Sequence, residues 1–388
     1  MNKKKQTFPL FCLLQLTYWA CFAAFNAYFV ALMLDTGMTS TRISLIQAFY
    51  LLAAFAGSFI WGSLSDKMRT NRKTFLLQLV GSVVFGLLIY TLRNIALAVA
   101  VLYPVFGFCL VPVASNLDSW IIKSFPQDPD YYGVTRGVSA LGYGILCLIA
   151  GQLVSKVGYF IMPVGLAIFG VLSIVIALVQ PDSPTAGISL KERFSVKDVG
   201  VLLKNRGYMM LLVMLLLTGL TFVPLSYMKL LFYQSVGGDA AWVGYEALVG
   251  CGVQFPFFLA AGKMKRVSRE LRMLVAIGSM IFMLIFFFTA RTPGLILAGS
   301  VFYFIGYSIL LPTYREKGQT LIEGRLMTTA QSLLDAVFGS LAGMSGLFYA
   351  GYVIDSFGTH TLVIFSMITF VIPLLMVIFE FIKARRKA

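Results

Sequence analysis

Long apolar runs alternate with short polar turns along the whole chain of 388 residues. The runs are about 20 residues long, the length at which an α-helix crosses about 30 Å of hydrocarbon. They predict twelve spans, which fall at about 8–34, 41–64, 74–92, 95–123, 132–155, 159–180, 207–233, 242–262, 272–290, 294–320, 326–352 and 360–382. The pattern predicts an all-α integral membrane protein with an N-terminal six-helix half (1–180), a hydrophilic linker (181–206) and a C-terminal six-helix half (207–388).

Composition and charge placement support this assignment. Hydrophobic residues make up 59% of the chain and charged residues 12%, against about 25% charged residues in soluble domains. Most of the 31 Lys and Arg residues lie in the termini, the linker and the turns on the same side of the predicted membrane. The positive-inside rule places that side in the cytoplasm. We therefore expect a multi-pass protein of the cell (inner) membrane with both termini cytoplasmic, and we attribute the net charge of +15 to topology rather than to nucleic-acid binding.

The two halves repeat each other. Four landmarks coincide at one constant offset, at which spans also coincide with spans: Gly37 with Gly237, Gly62 with Gly262, Tyr103 with Tyr303, and Pro112 with Pro312. Parallel repeats of this kind mark one architecture of secondary transporters. Two pseudo-symmetric halves are therefore predicted.

The turn after the second span contains the sequence Gly62-Ser-Leu-Ser-Asp66-Lys-x4-Arg72-Lys. Together with twelve spans and a central linker, this sequence resembles the major facilitator superfamily, whose signature here is G-x-L-x-D-R/K-x-G-x-R-K/R. The resemblance implies the major facilitator fold and a conformational motif formed by Gly62, Asp66 and Arg72. The chain departs from the signature by one extra residue and by the missing inner glycine, and Arg266 stands where the second half should carry the acid.

Two opposite charges stand at similar depth in the fourth and fifth spans. Asp118 precedes a short polar turn, and Arg136 follows it at nearly the same distance, so neighbouring antiparallel helices bring both to one level. A lone charge is costly inside a bilayer, and intramembrane charges are functional candidates. We expect the two to face each other or a wet cavity; the alternative is a structural ion pair that only locks two helices.

The same stretch resembles the lactose-permease-like oligosaccharide:proton symporters. In that group an acid in the fourth span precedes a G-x-x-R sequence in the fifth, which glycine and tryptophan follow. Here Asp118 precedes Gly133-Val-Thr-Arg136 and then Gly142-Tyr143, with tyrosine in place of tryptophan. The resemblance implies that Asp118, Arg136 and Tyr143 bind a sugar.

The chemistry of a sugar agrees with that assignment. Arginine supplies a planar fork of donors, aspartate accepts from hydroxyl groups, and an aromatic ring covers the apolar face of the sugar. Asn26 in the first span and Asn116 in the fourth are further polar candidates for the substrate site. For Tyr143 the alternative is a core aromatic whose hydroxyl group is satisfied within the protein.

Proton coupling requires a carboxyl group that is neutral in one state of the cycle and charged in another. The permease-like symporters carry a histidine and a glutamate early in the tenth span, where this chain has Tyr307 and Leu310. We expect Glu316 to be the coupling acid, because the repeat offset places it opposite Asn116 at about the depth of Asp118. Desolvation favours the neutral form of a carboxyl group. The other proton-coupling candidates are Asp118 and Asp335.

The seventh and eleventh spans are neighbours in the superfamily, and each carries one charge inside its apolar run, Lys229 and Asp335. We expect this lysine and this aspartate to pair. The alternative is a salt bridge that only sets the registry of the two helices.

The sequence contains no feature of an enzyme and predicts no cofactor. It lacks a phosphate-cradling G-x4-G-K-S/T loop and a cluster of metal ligands, and its five cysteines have no paired spacing. We expect a monomeric secondary transporter that alternates access between its halves. Its expected partners are protons, the lipid bilayer and a small-molecule substrate, a sugar or a similarly hydroxylated solute. The alternatives are an organic anion or nucleoside transporter, since span-located charges are slightly more positive than negative, and a non-transporting membrane sensor on the same fold.

Overall fold

The structure is a computed structural model that describes residues 3–125, 130–183, 196–259, 264, 266–322 and 326–386. Across these residues, regular structure is helical throughout. Eleven of the described helices are long and apolar enough to cross a membrane. The remaining predicted span, 242–262, coincides with a helix of 20 residues that carries the polar Glu246 and Gln254. The prediction of an all-α membrane protein is confirmed.

Every predicted span coincides with one helix or with an interrupted helix. The first six are α1 (Lys3–Phe25) continued by a 3-10 turn (Asn26–Tyr28) and α2 (Phe29–Asp35), then α3 (Ser40–Met68), α4 (Asn71–Thr91), α5 (Ala96–Ser124), α6 (Asp130–Val157) and α7 (Ile161–Val179). Within the predicted linker lies the short helix α8 (Val196–Leu203). The last six are α9 (Arg206–Tyr227) continued by α10 (Lys229–Ser235), then α11 (Ala240–Leu259), α12 (Arg269–Thr289), α13 (Pro293–Leu321), α14 (Met327–Asp335) continued by a π-helical segment (Ala336–Leu341) and α15 (Ala342–Phe357), and α16 (Thr359–Arg385).

Short polar side chains begin several of these helices. The side chain of Thr39 accepts a hydrogen bond from the backbone N–H of Arg42 at the start of α3. Thr70 caps α4 in the same way through the N–H of Lys73, at 3.1 Å. Such caps satisfy N–H groups that have no partner inside the helix, and they define the residue at which each helix begins.

Three spans are interrupted, and each interruption adjoins a polar residue that the sequence had singled out. The first span tightens to a 3-10 turn at Asn26, and the seventh breaks at Met228 and resumes with Lys229. The eleventh span becomes the π-helical segment Ala336–Leu341 directly after Asp335. Irregular backbone is tolerated inside a span only where protein or water satisfies its polar groups. These three places are therefore candidates for function.

The chain divides into two compact units. They are Met1–Ile188 with Asp239–Cys251, and Ser189–Gly238 with Gly252–Ala388. In the first unit the beginning of α11 packs against α6 through small residues: a Cβ atom at Gly244 would lie 2.7 Å from the carbonyl oxygen of Cys147. Only glycine allows the two backbones to meet so closely. The division of the chain at the linker 181–206 stays a prediction.

In the second unit, α9 lies beside the eleventh span. Gly219 of α9 faces the carbonyl group of Phe338 in the π-helical segment so closely that a Cβ atom would not fit. Farther along, the ring of Pro224 occupies the space next to Gly346 of α15. These contacts define which residues of the seventh and eleventh spans lie at the same level.

Candidate functional site

Side chains from three helices meet at the carboxylate group of Asp118 on α5. Its Oδ1 atom accepts a hydrogen bond from Nε2 of Gln15 on α1 at 3.1 Å. Its Oδ2 atom accepts one from the hydroxyl group of Tyr132 on α6 at 3.3 Å. Nη2 of Arg136, also on α6, lies 3.5 Å from Oδ2. The structure thus brings Asp118 and Arg136 together, as the spacing along the sequence predicts.

The guanidinium group of Arg136 is the accessible part of this arrangement. Its side chain is 40% exposed, whereas that of Asp118 is 16% exposed. The guanidinium carbon lies 5.9 Å from the centre of the Trp19 ring, within range of a cation–π interaction. Because it is only partly covered, Arg136 has donors to offer to a solute while it remains next to Asp118. A pair enclosed on all sides would have none.

Three aromatic rings lie beside the charged groups. The centre of the Trp19 ring is 5.4 Å from that of Phe22 and 5.7 Å from that of Tyr143, distances typical of favourable aromatic pairs. Gly142 allows this contact between α1 and α6, because the side chain of Leu16 occupies the place of its missing Cβ atom. We call the following residues the N-half cluster: Gln15, Trp19, Phe22, Asp118, Tyr132, Arg136 and Tyr143.

Sequence reasoning missed Gln15, Trp19 and Tyr132. Gln15 and Trp19 stand one helical turn apart, and Nε1 of Trp19 donates to Oε1 of Gln15 at 3.1 Å. A glutamine in the middle of an apolar run was the available signal, since an amide without partners is costly in hydrocarbon. Tyr132 stands four residues before Arg136, and side chains at that spacing share a helix face.

Asn116 lies outside the N-half cluster, which corrects the expectation that it contributes to the substrate site. Its amide nitrogen donates to Oγ1 of Thr74 and to Oε1 of Gln78 on α4, each at 3.0 Å, and the residue is buried. The reason is helix rotation: a residue two positions before Asp118 points about 200° away from it. Asn116 therefore joins α5 to α4.

Asn26 also lies apart from the N-half cluster. Its Oδ1 atom accepts a hydrogen bond from the hydroxyl group of Tyr103 on α5 at 3.0 Å. It stands about 16 Å farther along the first span than Gln15 at the rise of an α-helix. Its place in the substrate site is therefore not supported by the contacts of the first unit.

In the second unit, three consecutive charged residues near the end of α13 pair with three different helices. Consecutive residues on an α-helix point about 100° apart, so each meets a different neighbour. The pairs are Arg315 with Asp335 of α14 at 2.8 Å, Glu316 with Arg272 of α12 at 2.9 Å, and Lys317 with Glu380 of α16 at 2.6 Å.

These pairs differ in exposure, and exposure decides which of them can open. The cations of the last two, Arg272 and Lys317, have side chains that are 6% and 13% exposed. Arg315 and Asp335 are 47% and 40% exposed. Removing one partner of a buried pair costs about 3–5 kcal/mol, whereas an exposed pair contributes about 0–1 kcal/mol. Only the pair of Arg315 and Asp335 therefore separates at small cost.

The expectation that Glu316 is the coupling acid is corrected by its partner. Arg272, near the start of α12, donates to both oxygen atoms of the Glu316 carboxylate at 3.0 and 2.9 Å. The directions of the two side chains agree with the repeat: Asn116 faces α4 in the first half, and Glu316 faces α12, the corresponding helix of the second. Glu316 therefore pairs with a buried arginine, whereas Asp118 pairs with Arg136, which is accessible.

Asp335, Arg315 and Tyr314 form what we call the C-half cluster. The hydroxyl group of Tyr314 donates to Oδ1 of Asp335 at 2.6 Å, and Nε of Arg315 donates to the same atom at 3.2 Å. Both clusters therefore hold an aspartate, an arginine and a tyrosine on adjoining spans. The polarity is reversed, since the fourth span carries the acid and the tenth span carries the base.

The predicted pairing of Lys229 with Asp335 is wrong, because Asp335 pairs with Arg315. Depth explains the difference. Asp335 lies three residues before Phe338, whose carbonyl group is level with Gly219. Lys229 stands about ten residues beyond Gly219 along the seventh span, roughly 15 Å farther across the membrane.

The predicted conformational motif is only partly brought together. Gly62 and Asp66 are exposed, and no atom lies close to the place of a Cβ at Gly62. The guanidinium group of Arg72 donates to the carbonyl oxygen of Gln180 at 3.3 Å, and its backbone N–H donates to Oδ1 of Asp182 at 3.1 Å. The acid at the start of α4 is thus Asp182, which follows α7 and accepts the backbone N–H of Arg72 as a cap does. A latch through Asp66 stays a prediction.

Comparisons with known proteins place this architecture. Among solved structures, the chain is similar to the nucleoside transporter NupG (TM-score 0.77, 14% identity, 97% of this chain and 99% of that chain). It is also similar to the human organic anion transporter MFSD10 (TM-score 0.67, 14% identity, 97% and 100%) and to a D-xylose-proton symporter (TM-score 0.71, 13% identity, 96% and 96%). At these identities the likeness shows the fold alone, which is the major facilitator fold.

A comparison with curated protein sequences finds no match. The model of the MFS_1 like family matches residues 11–365, most of the chain. This protein therefore belongs to the MFS_1 like family.

Proposed function

We propose that this protein is a secondary active transporter, not an enzyme, that takes up a sugar or a similarly hydroxylated solute with protons by alternating access. The observation that carries the proposal is the N-half cluster inside the membrane-spanning helices. It offers a carboxylate, a guanidinium group and a phenol beside three aromatic rings. Hydroxyl groups need donors and acceptors in fixed positions, and the apolar face of a sugar ring needs an aromatic cover.

The contacts disfavour the organic anion alternative. Three of the four cations counted along the spans, Arg136, Arg315 and Lys317, each have a carboxylate partner. Glu380, at the end of the last predicted span, supplies one of these carboxylates. An anion would enter a site whose charges are already balanced, whereas a neutral solute would exchange hydrogen bonds without stranding a charge.

A nucleoside is the second candidate. Trp19, Phe22 and Tyr143 form a group of neighbouring rings, which suits a planar base as well as a sugar face. The chain is also similar in fold to NupG, a nucleoside transporter. The resemblance to the lactose-permease-like symporters favours the sugar.

We further infer a monomer in the cell (inner) membrane with both termini and the 181–206 linker in the cytoplasm. The orientation rests on the clustering of Lys and Arg residues on that side; the monomer is carried over as an expectation. The alternative is a non-transporting sensor of the same fold. In vesicles that contain the protein, a transporter would show proton movement driven by the solute, and a sensor would not.

The test is ligand binding by the purified full chain. Thermal-shift screening against sugars, nucleosides and aromatic acids should select a neutral hydroxylated solute. Arg136→Lys keeps the charge but loses the planar fork, so we expect the selected solute to bind at least tenfold more weakly. The control is Arg93→Lys, because Arg93 lies over Tyr90 at the end of α4, away from the N-half cluster. Unchanged binding by Arg136→Lys would make Arg136 structural, and selection of an acid would overturn the neutral-solute proposal.

A further inference from the structure

The eleventh span changes its helical geometry directly after a carboxylate. α14 ends at Asp335, the π-helical segment runs through Ala336–Leu341, and α15 begins at Ala342. A π-helical segment accommodates an extra residue in a helix and often occurs at functional sites. Asp335 therefore lies directly before a segment in which the helix can change the register of its backbone hydrogen bonds.

The contacts of the π-helical segment lead back to Asp335. The ring of Phe338 lies 6.1 Å from the rings of Tyr307 and Tyr314 on α13, measured between ring centres. Its carbonyl group faces Gly219 of α9, where a Cβ atom would not fit. Tyr314 also donates its hydroxyl group to Asp335. One tyrosine thus touches both the carboxylate and the segment of irregular helix.

Arg315 and a proton compete for the same oxygen atom of Asp335. Nη2 of Arg315 donates to Oδ2 at 2.8 Å. An ionised carboxylate only accepts, whereas a protonated one is neutral and carries an O–H donor. A proton on Oδ2 therefore competes with the Nη2–H of Arg315 and removes the ionic attraction, leaving only the neutral acceptor Oδ1 for Nε of Arg315. The other titratable groups that interact with Asp335 are Tyr307 and Tyr314 on α13 and Tyr208 on α9.

The exposure of the partner cation separates this pair from the other two along α13. The three carboxylates are similarly accessible, since the Glu316 and Glu380 side chains are 34% and 30% exposed, but their partners Arg272 and Lys317 are only 6% and 13% exposed. Asp335 is 40% exposed and its partner Arg315 is 47% exposed. Neither group is enclosed by protein, so the protein does not block a proton from Asp335 and leaves the guanidinium group of Arg315 room to move. Protonation of Glu316 would instead leave the enclosed Arg272 without its anion.

We propose that Asp335 is the proton-binding carboxylate of this transporter. A proton taken from the aqueous phase binds Oδ2, Arg315 leaves as a cation, and the C-half cluster gains one positive charge. The release of Arg315 and the altered bond to Tyr314 free the eleventh span to change register at the π-helical segment. The claim that the proton is a coupling ion rests on the proposed function. The claim that proton binding to Asp335 alters the π-helical segment is independent of that function.

The first experiment needs no substrate. Hydrogen–deuterium exchange of the full chain in detergent is measured across residues 336–341 at neutral and at acidic pH. Because the intrinsic rate of amide exchange falls with pH, each measured rate is divided by the intrinsic rate at the same pH, and exchange here means this corrected value. We expect acidification to raise the corrected exchange there in the wild type. Asp335→Asn mimics the neutral form, so it should show the raised exchange at both pH values, and Asp335→Glu should keep the pH dependence. Glu270→Gln, which removes an exposed acid of α12, should behave like the wild type.

Two results would overturn the proposal. One is exchange across 336–341 that does not respond to pH in the wild type. The other is an unaltered pH response in Asp335→Asn. Asp335→Asn must elute as the wild type does from size exclusion; if it does not, the comparison of wild type with Asp335→Glu decides, because both retain a carboxyl group.

The second experiment tests coupling in liposomes, with the solute selected by thermal shift as probe. Asp335→Asn should retain exchange of the solute across the membrane and lose its accumulation against a gradient. Accumulation by Asp335→Asn equal to that of the wild type would refute the coupling role. If no solute binds the wild type, the proposed function fails, while the exchange measurement still decides whether Asp335 is the proton site.

Discussion

Removal of the Glu316 carboxylate tests how the second unit is held together. Glu316→Gln leaves the guanidinium group of Arg272 with no anion, although its side chain is only 6% exposed. Stranding a buried charge costs about 3–5 kcal/mol. Nε of Arg272 keeps its hydrogen bond to the carbonyl oxygen of Val267 at 3.2 Å, so we expect a value near the lower end of that range.

The matched control makes the same substitution at an exposed pair a few residues away. Glu270 lies 3.5 Å from Arg269, and the side chains of this arginine and this acid are 30% and 28% exposed. Glu316 is similarly accessible at 34%, so the two pairs differ in the burial of the arginine, which is 6% exposed for Arg272. Exposed pairs contribute about 0–1 kcal/mol, so Glu270→Gln should change stability little. The ratio of the two effects, rather than either value alone, measures the influence of burial.

Thermal unfolding followed by far-ultraviolet circular dichroism in detergent provides the assay, because all four tryptophans lie in the first unit. The double variant Glu316→Gln/Arg272→Met is the third sample. Its apparent Tm should recover toward that of the wild type, because no charge is stranded when both partners are removed. Equal Tm values for Glu316→Gln and Glu270→Gln would refute the reasoning. So would a double variant less stable than Glu316→Gln, which would show that the pair acts through something other than charge compensation.

Two further predictions concern topology and the aromatic rings. Reporter fusions at the termini and in the 181–206 linker should report the cytoplasm; a linker on the opposite side would contradict the count of twelve spans. Trp19→Ala should raise the Kd of the selected solute about two- to twelvefold, since an aromatic contact is worth about 0.5–1.5 kcal/mol, whereas Trp19→Phe should retain most of the affinity. Equal affinities for both Trp19 variants would exclude ring stacking at this position.

The sequence by itself determined the membrane-spanning helices. Whether a run of residues crosses hydrocarbon depends on its own length and apolarity, and both are local properties. The spans from 8–34 to 360–382 therefore coincide with helices. The proximity of Asp118 and Arg136 was also predictable, because a short turn joins their helices and the helical rise fixes the depth of each residue.

Only the tertiary structure decided which way each polar side chain points and which neighbour it meets. Asn116 and Asp118 differ by two positions, yet one binds α4 and the other belongs to the N-half cluster. In the same way, Arg315 and Glu316 reach different helices. An apolar run that is buried on most sides gives little indication of helix rotation, so counting along the chain yields depth but not direction.

Partner choice between distant helices was likewise outside the reach of the sequence. The neighbourhood of the seventh and eleventh spans correctly suggested contact, as Gly219 and Phe338 show. Knowing that the two spans are neighbours does not give their relative depth, which separates Lys229 from Asp335. It also does not indicate that Arg315 of the tenth span pairs with Asp335. Register between helices depends on close packing of small residues along the whole interface, and packing of that kind is a property of the assembled fold.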